Sequence, residues 1–214
     1  MKKNQDKKVF NNMFFVKQYD RMSRIVSMDM YLRFLQYLKN NCPKGRILDV
    51  GCGTGRGLLM IGQDSLYQVS GIDPASNMIK MCRKNAGKDN RKADFHVAGA
   101  EKLPFANEEF DAVISNGAFH EWQDAEKGLN EIYRVLKPGG IAFINDMRSD
   151  AEIKDIYDEL GSRIFFKPMR KAFMKNIKKG TYTSSEAEAI VRKSLFRNLK
   201  IEEKKISYEI KLQK

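Results

Sequence analysis

Only three of the 214 residues are cysteine: Cys42, Cys52 and Cys82. Their number is odd, so they form no even disulfide framework, and their spacing matches no metal-ligand pair. They read as reduced thiols of a cytoplasmic protein, and no metal site is expected. Long apolar runs are missing too: none approaches the ~20 residues needed to cross a bilayer. The charged start, MKKNQDKK, is followed by no apolar signal core, so we expect a form that is not secreted. Internal repeats and low-complexity linkers are absent. With 42% hydrophobic and 31% charged residues, the chain can fold around a sizeable core.

The net charge of +12 is unevenly spread. Residues 1–45 carry 10 basic and 3 acidic groups, residues 46–150 carry 13 and 15, and residues 151–214 carry 16 and 9. A near-neutral middle lies between two basic flanks, and the flanks are candidates for the substrate side.

The first eight residues have the character of a disordered tail. Ile25, Met28, Leu32, Leu35 and Leu38 then recur at helical spacing and predict a helix to about Asn40, broken by Cys42-Pro43-Lys44-Gly45. Beyond it, strands alternate with helices. Strands are expected at Arg46–Val50, Gln68–Ile72, Phe95–Ala98, Ala112–Ser115 and Ile141–Ile144. Helices are expected at Ala75–Lys84, with Met78 and Met81 on one face, and at Asp124–Leu136, stopped by Lys137-Pro138-Gly139-Gly140. Ala151–Lys179 is helical in tendency. Ser184 or Ser185, with Glu188 nearby, predicts a helix start, and that helix should run to about Asn198. Lys200–Tyr208 reads as a sixth strand. No Gly, Asn or Pro turn parts it from Glu209–Lys214, so the pattern leaves open whether a final hairpin is complete. Alternating strands and helices imply parallel pairing in an open α/β sheet.

The strongest motif is ILDVGCGTG at Ile47–Gly55. A buried strand runs into Gly51, Gly53 and Gly55, which let the backbone turn tightly and approach a ligand. Asp49 stands just before the turn, at the strand edge where doubly wound sheets bind ligands. The dinucleotide pattern G-x-G-x-x-G fails from every start, because its third glycine falls on Arg56, Leu58 or Met60. No Gly-Lys-Ser/Thr phosphate loop occurs either. Asp73, 24 residues after Asp49, ends the second strand, where a carboxylate can accept from both hydroxyls of a ribose or cap the next helix.

ILDVGCGTG, GIDPASNMI, AEKLPFANEEFDAVIS and EIYRVLKPGG occur in this order over about residues 46–145. Together they closely resemble the class I S-adenosylmethionine-dependent methyltransferases, especially the group that includes the ubiquinone/menaquinone-biosynthesis enzymes. The resemblance implies a Rossmann-like, doubly wound, mostly parallel sheet with helices on both faces. It implies one domain over 1–214: an N-terminal helical cap (1–45), a cofactor-binding core (46–145), and substrate-side helices with the last strands (146–214). The implied cofactor is S-adenosyl-L-methionine, with S-adenosyl-L-homocysteine as product.

By the same resemblance, Gly51, Cys52, Gly53 and Gly55 wrap the cofactor and Asp49 sits near its ammonium group. Asp73 holds the ribose, and Pro74 and Met78 lie against adenine. Ala100 and Glu101 lie at the adenine edge, Asn116 near the methionine moiety, and Tyr19 over the cofactor. Many relatives carry Asp where this chain has Gly99, so backbone groups or Glu101 must take over the adenine contact. His120, just after the fourth strand, is the leading candidate for a catalytic base; its alternative is a hydrogen bond that shapes the loop. His96 and Trp122 read as packing residues.

The acceptor is expected to be a small molecule, with an anionic group among the options. Phe10, Phe14, Phe15 and Tyr19 on one flank, and Phe165, Phe166, Met169, Phe173 and Met174 on the other, are interleaved with lysine and arginine. That mixture suits an apolar acid, a stretch of RNA, or an amphipathic helix with a solvated face. An RNA- or protein-modifying methyltransferase and a non-catalytic cofactor-binding partner subunit are the alternatives. Ser115-Asn116-Gly117-Ala118 departs from the run typical of DNA amino-methyltransferases, and no Pro-Cys pair supports a cytosine C5 enzyme.

Overall fold

The computed structural model describes residues 12–26, 28–88, 92–160 and 180–214. Seven strands form one sheet: β1 (Gly45–Val50), β2 (Tyr67–Asp73), β3 (Asp94–Val97), β4 (Phe110–Asn116), β5 (Leu136–Met147), β6 (Asn198–Glu203) and β7 (Ser207–Gln213). Their order is β3-β2-β1-β4-β5-β7-β6. The first five are parallel, and β7 lies antiparallel between β5 and β6. The order reverses between β1 and β4, which opens a crevice at the carboxyl ends of those strands.

β1, β2 and β4 are buried almost throughout because helices cover both faces. On one face lie α2 (Met28–Asn41), α3 (Arg56–Ile61) and α4 (Ser76–Lys88), packed on Ile47, Val69, Ile114 and Phe143. On the other lie α5 (Ala125–Val135) and α7 (Ser184–Lys193), packed on Leu48, Val113, Ile144 and Tyr208. α6 (Ile153–Leu160) leads away from β5. α1 (Met13–Val26) lies across the first face and sets Val16 against Ala75, Met78 and Met81.

The sheet and its strands match the expected fold class, with some differences at element ends. A single helix was expected to about Asn40 with Leu32 inward. Two helices stand there, and Leu32 is 51% exposed. α2 instead buries Met30, Tyr31, Phe34 and Leu38, a stripe shifted on the same period. Aromatic packing sets that phase: the Phe34 ring meets Phe143 edge-on at 4.8 Å.

Lys137-Pro138-Gly139-Gly140 does not hold β5 back to Ile141. The strand starts at Leu136, directly after α5, and the motif sits in an irregularity where the register passes from Phe110–Leu136 to Ala112–Ile141. α7 is capped by Thr183 rather than Ser184 or Ser185, in a capping box with Glu186 rather than Glu188, and it ends at Lys193. The closing hairpin is complete. Its turn, Lys204–Ile206, uses no positive φ and so needs no glycine or asparagine. Ile206 is buried against Ala151 and Ile156, which fixes the turn through tertiary packing. The run 163–179 expected to face the substrate lies outside the described residues, as does Phe10.

Candidate functional site

The crevice is built from the glycine loop upward. β1 delivers Asp49 fully buried at its carboxyl end. The chain then turns through Gly51 (φ 84°), Gly53 (φ 56°) and Gly55 (φ 75°), a conformation that favours glycine at each position. The amides of Gly51 and Cys52 both donate to the Ile72 carbonyl at 2.9 Å, which pins the loop to the end of β2. Asp73 completes the tie: Oδ2 accepts from the Gly53 amide at 3.1 Å and Oδ1 from the Ala75 amide at 2.8 Å.

Two acids at the carboxyl ends of adjacent strands make this crevice electrostatically unusual. The Tyr31 hydroxyl donates to Asp49 Oδ2 at 2.7 Å, while the buried Oδ1 has no hydrogen-bond partner among the described residues. Burial raises the Asp49 carboxyl to about 7 against the opposing Tyr31 bond, and the Asp73 charge adds to the rise. Burial likewise lifts Asp73 to about 6, opposed by its two backbone bonds. Tyr19, reaching in from α1, packs its ring on Gly53, where an added Cβ would lie 3.3 Å from its Cε1. Burial, then the charges of Asp73 and Asp49, push its hydroxyl up to about 12. Burial leads each of these shifts, and the neighbouring acids add to those of Asp49 and Tyr19. The pocket is thus desolvated and lined by acids that a cation would suit.

The expected site residues separate into those at the cleft and those behind it. Tyr19, Gly51, Cys52 and Asn116 line one cleft with Tyr31, above Asp49. Cys52 contributes backbone there, since its thiol turns inward to 3.8 Å from that of Cys82. Gly55 faces Cys82 and Phe95, so it serves the turn and not the cleft. Pro74 is exposed, whereas Met78 is covered by Val16. Ala100 is buried beside Trp122 and Gly128. Glu101 uses Oε1 to accept from the amides of Gln123 and Asp124, and so holds the entry to α5. Asn116 Oδ1 accepts from Asn145 Nδ2 at 2.9 Å.

His120 sits on a short 3-10 turn after β4. Its Nδ1 lies 2.9 Å from both oxygens of the fully buried Asp146, and its Nε2 lies 3.1 Å from Glu121. Burial opposes the charge, but Asp146 and Glu121 outweigh it and raise the ring to about 10. A base must be neutral to accept a proton, so with Asp146 and Glu121 in place the ring is biased toward its charged form. The ordinary value is 6.5, so its stabilising effect is full below pH 6.5 and is lost as pH rises through about 10. Ring NMR resonances of His120 are expected not to titrate between about pH 5.5 and 8.5, and Asp146→Asn is expected to bring the midpoint down toward 6.5. A wild-type midpoint near 6.5 would restore the base.

Sequence reasoning missed Tyr31, Asp146 and a polar cluster of Asp20, Arg56 and Asn85. Arg56 drew attention only as the residue that spoils a dinucleotide pattern. Gly57 is a signal that could have found Tyr31: its added Cβ would lie 2.1 Å from the Tyr31 ring, so the glycine makes room for that side chain.

Residues 48–144 match the family described as "Methyltransferase domain". The match covers less than half of the chain. The ubiquinone/menaquinone biosynthesis C-methyltransferase of Geotalea daltonii is 33% identical over 130 residues, 58% of this chain and 55% of its own. The demethylmenaquinone methyltransferase of Thermus thermophilus is 37% identical over 128 residues, 58% of each chain. The chain thus spans about half the length of the curated relatives it matches. A SAM-dependent methyltransferase from Aquifex aeolicus has the same fold, with a TM-score of 0.71 at 21% identity over 94% of this chain and 98% of that one. The matched stretch runs from within β1 to most of β5, and it contains Asp49, the glycine loop, Asp73, Asn116 and His120.

Proposed function

We propose that this chain is an S-adenosyl-L-methionine-dependent methyltransferase acting on a small-molecule acceptor, with residues 1–214 working as one domain. The observation that carries the reading is the fully buried Oδ1 of Asp49, unpartnered among the described residues, beneath a glycine loop within the stretch that matches a methyltransferase domain. A buried acceptor without a donor is costly, and a ligand ammonium would satisfy it. Asp73 at the adjacent strand end has oxygen lone pairs left for ribose hydroxyls. S-adenosyl-L-methionine, when bound, supplies an activated methyl group whose transfer is a direct displacement.

The chain's own work is then alignment and exclusion of water. Asp49, Asp73, Tyr19 and the loop backbone orient the donor. Tyr19 also shields it from solvent. The imidazolium of His120, held by Asp146, fixes the loop after β4 at the mouth where an acceptor would approach. Glu101, engaged at the start of α5, leaves adenine recognition to backbone groups around Gly99 and Ala100. The names of the quinone-biosynthesis relatives favour an acceptor with an apolar ring, and the basic flanks suit an anionic one. A cytoplasmic location is consistent with three free, buried cysteines, and no described helix is long and apolar enough to cross a membrane.

Isothermal titration of the whole chain with S-adenosyl-L-methionine, S-adenosyl-L-homocysteine and NAD tests the reading. Micromolar binding of the first two and none of NAD is expected. A folded chain that binds neither would overturn it and favour a degenerate partner subunit.

A further inference from the structure

We propose that Asp20, Arg56 and Asn85 form a latch that holds α1 down over the cofactor cradle, and that Asp20 is a positioning residue that sets how long the cofactor stays bound. The proposal rests on the cofactor reading above.

The cluster joins three separate elements at one point. Asp20 lies on α1, Arg56 opens α3 directly after the last loop glycine, and Asn85 lies on α4. Arg56 Nε donates to Asp20 Oδ1 and a second guanidinium nitrogen to Oδ2, both at 2.8 Å. That nitrogen also donates to Asn85 Oδ1 at 2.9 Å. Asn85 Nδ2 donates to Asp20 Oδ1 and to the Thr54 carbonyl of the glycine loop, each at 2.9 Å. One turn along α1, Ser23 Oγ lies 3.4 Å from Thr54 Oγ1. Asp20, Asn85 and Thr54 are buried, and the Arg56 side chain is 16% exposed. The fork-to-carboxylate geometry is directional, so it fixes the rotation of α1 as well as its distance from the loop.

Position along the chain turns this cluster into a control on the site. Asp20 directly follows Tyr19, whose ring closes the cradle over Gly53. Arg56 directly follows Gly55, so movement of the loop reaches Asp20 through one side chain. Tyr19, Ser23, Tyr31 and the loop line one cleft, so α1 forms one of its walls. Movement of α1 would open and close the cradle, as lids do elsewhere. Among the described residues, the apolar seat of α1 is Val16 on Ala75, Met78 and Met81, with Met13 and Tyr19 partly buried against it. A buried ion pair is seldom the best way to stabilise a fold, because packed apolar residues do as well. Its value here lies in a directional contact that sets the closed position of α1.

Two variants and two readouts test the latch. Asp20→Ala breaks it. The pair Asp20→Leu with Arg56→Met removes both charges but keeps volume, so it remains a folded test if the single change does not. Hydrogen exchange of α1 without cofactor, and stopped-flow release of S-adenosyl-L-homocysteine, are measured in both and in wild type. Faster exchange over residues 13–26 and release at least tenfold faster are expected, in the apolar pair even where its melting temperature equals that of wild type. A purely structural role predicts wild-type exchange and release in that folded pair, and that result would overturn the proposal. Faster exchange in the variants, with wild type binding no S-adenosyl-L-homocysteine, would instead overturn the cofactor reading and the residence-time role with it.

Discussion

Replacing Asp73 with alanine is expected to weaken S-adenosyl-L-methionine binding by 100-fold or more. Two charge-assisted hydrogen bonds to ribose hydroxyls are each worth about 1.5–3 kcal/mol, and their sum spans that range. The alanine also frees the Gly53 amide that Asp73 Oδ2 holds, so the loop loses a tether at the same time. Asp73→Asn keeps one acceptor and should fall between the two. The same carboxylate gives the wild type a pH signature. Burial raises it to about 6, so affinity should be full at pH 7.5 and decline as the medium is acidified through 6. Titration calorimetry at pH 7.5 and pH 5 checks both points. A change smaller than about threefold in the alanine variant would mean that no ribose sits on Asp73.

Asp49→Asn is expected to move stability and affinity in opposite directions. The folded Asp49 carboxyl lies near 7, above its ordinary 3.8, first through burial and then through Asp73, with the Tyr31 bond working the other way. The native state therefore holds this proton more tightly than the unfolded chain does. Stability from this group falls as pH rises from about 4 to 7, and the penalty is complete above 7. Asparagine removes it, so the cofactor-free variant should be more stable at pH 8 by on the order of 2 kcal/mol, with little difference near pH 4. The ammonium partner is lost as well, so affinity should drop by about 10- to 100-fold. Urea melts at both pH values, with and without S-adenosyl-L-homocysteine, separate the two effects. A variant less stable than wild type at pH 8 without ligand would show that Asp49 is a satisfied structural acid and not a waiting ligand group.

These expectations combine what was legible in the sequence with what was not. The glycine loop was legible because its requirement is local: positive φ at Gly51, Gly53 and Gly55 restricts residue type at each position. Asp49 and Asp73 were legible because each ends a strand whose burial shows as an apolar run. The central strands followed from the same signal. Their ends did not, since β5 continues through Pro138 and Gly139 on the strength of pairing with β4 and β7.

The sequence alone determined the alternating α/β order, the glycine loop, and the acids at the strand ends, because each depends on short-range pattern and residue type; the reversal of strand order came only with the tertiary structure. Only the tertiary structure decided what those acids and the histidine meet. Tyr31 reaches Asp49 from 18 residues away, Asp146 meets His120 across 26, and Asn85 meets Asp20 across 65. Such pairs leave no periodicity behind, and a buried polar partner looks the same in sequence as a solvated one. Contacts between elements set His120 against Asp146 and Glu121, and Arg56 against Asp20 and Asn85.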